Sequence, residues 1–210
     1  MNISVSELEK NGYVLQDKLE HHELVPFVRT YLKKRTAPNA LYFAFNLFAL
    51  LAFFPLLGIY ESAGAVDIEN AITHFCYGIA LSFLLIPLHE YIHVLAYRSQ
   101  GAANTSYDVN WKKFYFMAVA DHFVANRKEF TVVVLAPFVV ISAATLSLML
   151  VASPVWQFTL LGILFNHTAC CAGDFSLLSY FSLQKHKEVI TYDDATNKVS
   201  YFFVKNELPA

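Results

Sequence analysis

Four apolar stretches, at residues 41–59, 71–97, 130–152 and 155–183, dominate this chain. Each is long enough to cross a hydrocarbon core, which takes ~20 helical residues. So short a chain leaves little polar surface to cover four such helices in water, whereas a bilayer covers them without help. Composition agrees: 56% of the 210 residues are hydrophobic and only 15% charged, against about a quarter charged in soluble domains. The expected fold is an all-α polytopic membrane protein with four transmembrane helices and small cytosolic β-hairpins. Pro55, Pro87 and Pro137 fall inside these runs, where neighbouring groups in a membrane bundle satisfy the carbonyls they free.

The polar segments divide the chain into a cytosolic amphipathic segment (1–38), a membrane domain (39–184) carrying a cytosolic hairpin (102–128), and a hairpin tail (185–210). In the first segment Ser6 is placed to cap a helix. Leu24, Phe27, Val28 and Leu32 recur at helical spacing, predicting a helix along the membrane surface. In the central block, 107–109 and 114–119 flank Asn110-Trp111-Lys112-Lys113 and read as strand, turn and strand. The tail repeats that form, with strands at 189–192 and 199–204 around a polar turn. Asp121 is expected to cap the helix that follows the central hairpin.

Charge sets the orientation. Arg29, Lys33, Lys34 and Arg35 close the first segment; Arg98, Lys112, Lys113, Arg127 and Lys128 mark the central block; Lys185 and Lys187 follow the last run. The loop after the first run carries Glu61, Asp67 and Glu69 instead. Both termini and the central block are therefore expected in the cytoplasm of a multi-pass cell-membrane protein. No leader is expected, because a long charged segment precedes the first apolar run. A net charge of −2 predicts no nucleic-acid partner, because neutralising phosphates takes clustered Lys and Arg.

The chemistry concentrates in His89-Glu90-Tyr91-Ile92-His93 on the second run. On a helix, histidines four apart project from one face and can share a zinc ion. Glu90 lies one residue round, in reach of a water that zinc activates by lowering its pKa toward ~7. Ionisable groups inside a membrane helix are costly and mark function. A tetrahedral site needs a third protein ligand, and the fourth run offers Asn166, His167, Cys170, Cys171 and Asp174. At ~1.5 Å per residue, His89 lies about 27 Å below the start of its run, Asp174 about 28 Å and His167 about 18 Å below the start of theirs. Depth favours Asp174, with His167 and Cys171 left as alternatives. His21 and His22, pointing to different faces, are expected exposed and unliganded. His74 is expected to be a hydrogen-bonded interface residue, and Cys76, Cys170 and Cys171 small buried hydrophobes.

A membrane-embedded H-E-x-x-H followed by Asn166 and, eight residues on, by Asp174 resembles the site-2 protease class of intramembrane metalloproteases. Within that class the chain is most similar to the small bacterial putative zincin-peptidase family. The resemblance implies Zn2+ held by His89, His93 and Asp174, Glu90 as base, and Asn166 assisting with substrate or oxyanion. It also implies a membrane protein or peptide as substrate, cut near the cytosolic face, and a bacterial inner membrane as the location. The chain departs from the class in having Ile92 rather than Gly before the second histidine, and Gly173 before Asp174 rather than Gly after it.

Overall fold

The computed structural model describes residues 5–112 and 115–206. Two short elements open the chain, α1 (Val5–Lys10) and β1 (Val14–Glu20), followed by α2 (Leu24–Leu32). Then come α3 (Ala37–Leu51), α4 (Phe53–Ser62), α5 (Ile68–Ser82) and α6 (Ile86–Ser99). The strands β2 (Thr105–Asn110), β3 (Tyr115–Ala120) and β4 (Val124–Asn126) lead into α7 (Arg127–Met149). The chain ends in α8 (Pro154–Cys170), α9 (Ala172–Leu183), β5 (Lys187–Asp194) and β6 (Val199–Asn206).

The expectation of an all-α chain with four transmembrane helices is overturned. Among the described residues three helical stretches are long and apolar enough to cross a membrane: Ala37–Ser62, Ile68–Ser99 and Arg127–Met149. The fourth run is not one helix. It stops at Cys170 and restarts at Ala172, because the backbone of Cys171 leaves the helical region (φ −70°, ψ 10°). Two prolines explain shorter interruptions. Pro55 opens α4 just past the break at Ala52, and Pro87 follows a 3-10 turn at Phe83–Leu85, since each ring crowds the carbonyl four residues back.

Strands form the second correction. Besides the β2–β3 hairpin there is a four-stranded antiparallel sheet in the order β1-β6-β5-β4. It pairs Val14 with Val204 and Val124 with Tyr192. The N-terminal segment is thus partly strand, and Ser6 lies inside α1. The helix after the hairpin starts six residues beyond Asp121, because His122 takes a left-handed conformation (φ 54°) and β4 intervenes. Asn126 is its cap: its Oδ1 accepts from the Lys128 and Glu129 amides, and Glu129 Oε2 accepts from the Asn126 amide at 2.9 Å. This reciprocal pair is a capping box.

The chain separates into two compact units. One comprises Met1–Asn39, Glu90–Ala136 and Gly173–Ala210, and holds both sheets. Its core is aromatic, with Tyr180 and Phe202 at 4.7 Å and Phe130 stacked on Phe181 at 4.9 Å. Arg127 ties α7 to the segment after α9, donating to the carbonyls of Phe181, Gln184 and Lys187. Asp108 of β2 is buried and accepts from Lys198 (2.6 Å), His21 (2.9 Å) and Tyr115 (3.2 Å). Burial alone would push that carboxyl up, but Lys198 and His21 hold it below the usual Asp range. His21, expected to be exposed, is therefore buried at the joint between hairpin and sheet, while His22 stays exposed beside Glu20. Of the cysteines only Cys171 is buried.

The other unit, Ala40–His89 and Pro137–Ala172, is helical. Its centre is the contact of α5 with α8. His74 Nδ1 lies 3.0 Å from Thr159 Oγ1, as an interface histidine should, and Asn166 donates to Ser82 Oγ at 2.6 Å. Between them Gly78 and Gly162 face each other; both sequences ascend together, so the helices are parallel. A Cβ on Gly162 would stand 2.1 Å from the Phe75 carbonyl oxygen, and one on Gly78 would stand 2.0 Å from that of Thr159. Small residues that let backbones touch are the usual adhesive between membrane helices.

Gly162→Ala is expected to force α5 and α8 apart and to cost roughly 1–3 kcal/mol or more, the range for overpacking a tight contact. Gly58→Ala, where a methyl meets nothing within 4 Å, serves as the control and should leave stability unchanged or slightly raised. Thermal unfolding in detergent compares them; equal stability of the two variants would refute the close backbone contact.

Candidate metal centre

The H-E-x-x-H residues lie on α6, whose face bearing His93, Val94, Ala96 and Tyr97 is buried, while His89 and Glu90 are half-buried. One helix turn brings potential ligand atoms of His89, Glu90 and His93 within 4.8 Å of one another.

His93 shows how its ring is set. Nδ1 lies 2.9 Å from the Val133 carbonyl, and a carbonyl only accepts, so Nδ1 carries the proton. In the neutral ring Nε2 then bears a lone pair, and it faces Asp174 Oδ1 at 3.2 Å. Two lone-pair atoms at that separation need a cation between them, either a proton or a metal ion. Zinc bonds of ~2.0–2.2 Å in a tetrahedron place neighbouring ligand atoms about 3.3 Å apart. The donor set and spacing therefore fit zinc, with an imidazole nitrogen oriented by a backbone carbonyl in the manner usual for metal-bound histidines. Asp174 stands in the first turn of α9, where the helix dipole favours a negative charge.

In the helical unit His89 has different company. Its Nδ1 is 3.3 Å from His167 Nε2, and His89, His167 and Cys171 also form a group with ligand atoms within 4.8 Å. Cys171 Sγ lies 3.4 Å from the His167 carbonyl. Asn166 is half-buried, its amide engaged by Ser82.

A cavity opens beside His93. Glu90, His93 and Asp174 line it together with Phe116 and Met117 of β3 and Asp193 of β5. Sequence reasoning missed Asp193, which was placed in the polar turn of the tail although β5 extends through it. Burial pushes its carboxyl above the ordinary Asp range.

Residues 82–189 match the family model described as putative zincin peptidase, a stretch spanning more than half of the chain and containing His89, Glu90, His93, Asn166, His167, Cys171 and Asp174. No curated protein and no solved structure matches the chain.

Asp193 yields a test with a defined sign. Folding raises its pKa, so its protonated form is favoured by the fold, and its contribution to stability falls as pH rises above the unfolded value of 3.8. Asp193→Asn removes the buried charge while keeping shape. The variant is expected to melt at a higher temperature than the wild type at pH 7, with the difference shrinking as pH approaches 4. A difference independent of pH would show that Asp193 carries no burial cost.

Proposed function

Because the chain belongs to the putative zincin peptidase family, we propose that it is a zinc-dependent endopeptidase that cuts a membrane-spanning or membrane-anchored protein near the cytosolic face. The carrying observation is the His93–Asp174 pair, oriented by Val133 and opening with Glu90 into one cavity. His89, His93 and Asp174 are assigned as ligands. Zinc, when bound, supplies a Lewis acid that makes water acidic enough to lose a proton near neutral pH. Glu90 accepts that proton as the water oxygen bonds to the scissile carbonyl carbon. It then delivers the proton to the leaving nitrogen as the carbon–nitrogen bond breaks. Asn166 is assigned a positioning role on the resemblance alone.

A peptide bond inside a helix is shielded by its own hydrogen bonds, so the substrate must be extended at the cut. Phe116 and Met117 at the cavity wall belong to β3, which pairs with β2 through Thr105–Asn110. Its cavity-facing side is suited to adding a substrate strand, with main-chain hydrogen bonds giving affinity.

The membrane setting has two supports. Large apolar side chains on the spanning helices point outward: Phe48 is 62% exposed and Phe54 65%, a wasteful arrangement in water and the ordinary one in lipid. Moreover, strands hydrogen-bonded in one sheet lie on one side of a membrane. The sheet joins β1, β4 and β5–β6, so both ends of the chain and the central block share a side. Their basic residues favour the cytoplasm, and a bacterial inner membrane is the setting the resemblance implies.

Glu90→Gln keeps size and hydrogen-bonding capacity but removes the base. It is expected to retain zinc while lowering peptide hydrolysis by ~10²–10⁴-fold, whereas His93→Ala and Asp174→Ala should lose zinc and activity together. Loss of zinc in Glu90→Gln with retention in Asp174→Ala would exchange the two roles. A wild type that binds zinc but cuts no membrane substrate would instead make the chain a non-catalytic zinc protein.

Reporter fusions test the orientation. One inserted near Ala65 should be external and one in the 102–121 block cytoplasmic; the reverse, or the same side for both, would overturn the placement.

A further inference from the structure

We infer that His167 is a positioning residue of the metal centre: it accepts a hydrogen bond from His89 Nδ1 and thereby holds the His89 ring with Nε2 presented to the metal. The inference rests on the zinc reading above. Two histidines on one helix face serve a common ion through their Nε2 atoms only if each Nδ1 is given an acceptor. His93 has the Val133 carbonyl at 2.9 Å. His89 has His167 Nε2 at 3.3 Å, the rings inclined at 60°.

His167 is itself firmly held. It is 3% exposed and sits in the last turn of α8, where its carbonyl accepts from the Cys171 amide at 3.2 Å and the Cys171 thiol at 3.4 Å. One residue back, Asn166 donates to Ser82. A turn further, Gly162 locks α8 against α5. The acceptor is thus mounted on a helix in direct backbone contact with α5.

The same atoms suggest a rival arrangement, in which His89, His167 and Cys171 themselves enclose a metal. Two features favour the positioning role. Cys171 is placed to donate its S–H to a carbonyl, which a thiolate ligand could not do. A metal on His89 Nδ1 would also draw that ring away from the ion it is to share with His93.

The test uses the full-length protein in detergent, with zinc affinity measured by chelator competition and the visible spectrum of the Co2+-loaded form. His167→Leu is expected to weaken zinc binding by about 10–100-fold, the usual effect of removing an orienting partner. His167→Gln, whose side-chain carbonyl can accept the same hydrogen bond, should restore most of that loss, which a purely structural role of the ring would not predict. Cys171→Ser should leave the Co2+ spectrum unchanged. Wild-type affinity in His167→Leu, or no rescue by Gln, would overturn the inference. So would a thiolate-to-cobalt charge-transfer band that disappears in Cys171→Ser, by making Cys171 a ligand. Retention of zinc in His93→Ala marks a different failure, that of the zinc reading itself, and the inference falls with it.

Discussion

The direct backbone contact between α5 and α8 is the constraint on which the helical unit depends. Gly78 and Gly162 leave no room for a side chain on either helix, so the two axes cannot slide or rotate without collision. Polar pairs on both sides of the contact, His74 with Thr159 and Ser82 with Asn166, fix its register. Each such hydrogen bond is worth only about 1 kcal/mol net. The register matters because the next residues along these helices carry chemistry: His167 follows Asn166, and His89 follows the turn that Pro87 imposes after α5. Packing thereby becomes ring orientation.

The sheet unit reaches its stability by different means. Its strands come from the start, middle and end of the chain, so each pairing closes a long loop and must be rewarded by burial. The aromatic cluster of Phe130, Tyr180, Phe181 and Phe202 provides that burial. The β2–β3 hairpin is fastened by a charged joint, with Asp108 receiving Lys198, His21 and Tyr115. Removing one partner of such a group leaves a buried charge or donor unpaired, which is far costlier than the net gain of making the pair. This arrangement suits a wall that must hold its shape: the residues of β3 opposite the joint line the cavity at His93.

Much of the local structure was legible. The H-E-x-x-H spacing, both hairpins, the apolar helices and the interface role of His74 follow from period and residue type. What escaped depends on partners remote in sequence. β1 shows no alternation, because only Leu19 in it is fully buried; its strand character comes from β6, some 180 residues away. β4 is too short to carry a pattern. His21 reads as solvent-facing until the hairpin folds over it. The fourth run has unbroken hydropathy through Cys170, Cys171 and Ala172, so only Gly173 hints that the helix loosens there. At Asn126 the capping box was present in the sequence as Asn126 and Glu129, but Asp121 offered an earlier and equally plausible start.

That break also bears on Asp174, which directly follows Gly173. A carboxylate in the middle of a continuous helix would sit among backbone groups already hydrogen-bonded to one another. By stopping at Cys170 and restarting at Ala172, the chain places Asp174 in the first turn of a new helix, where the positive end of the helix dipole favours a carboxylate. The anion is then stabilised before any metal arrives. What the site needs from the segment is a fresh helix start within a turn of the carboxylate. Cys171, whose backbone leaves the helical region (φ −70°, ψ 10°), supplies that restart. Gly173, with open space around its missing side chain, is left to keep the approach to Asp174 uncluttered.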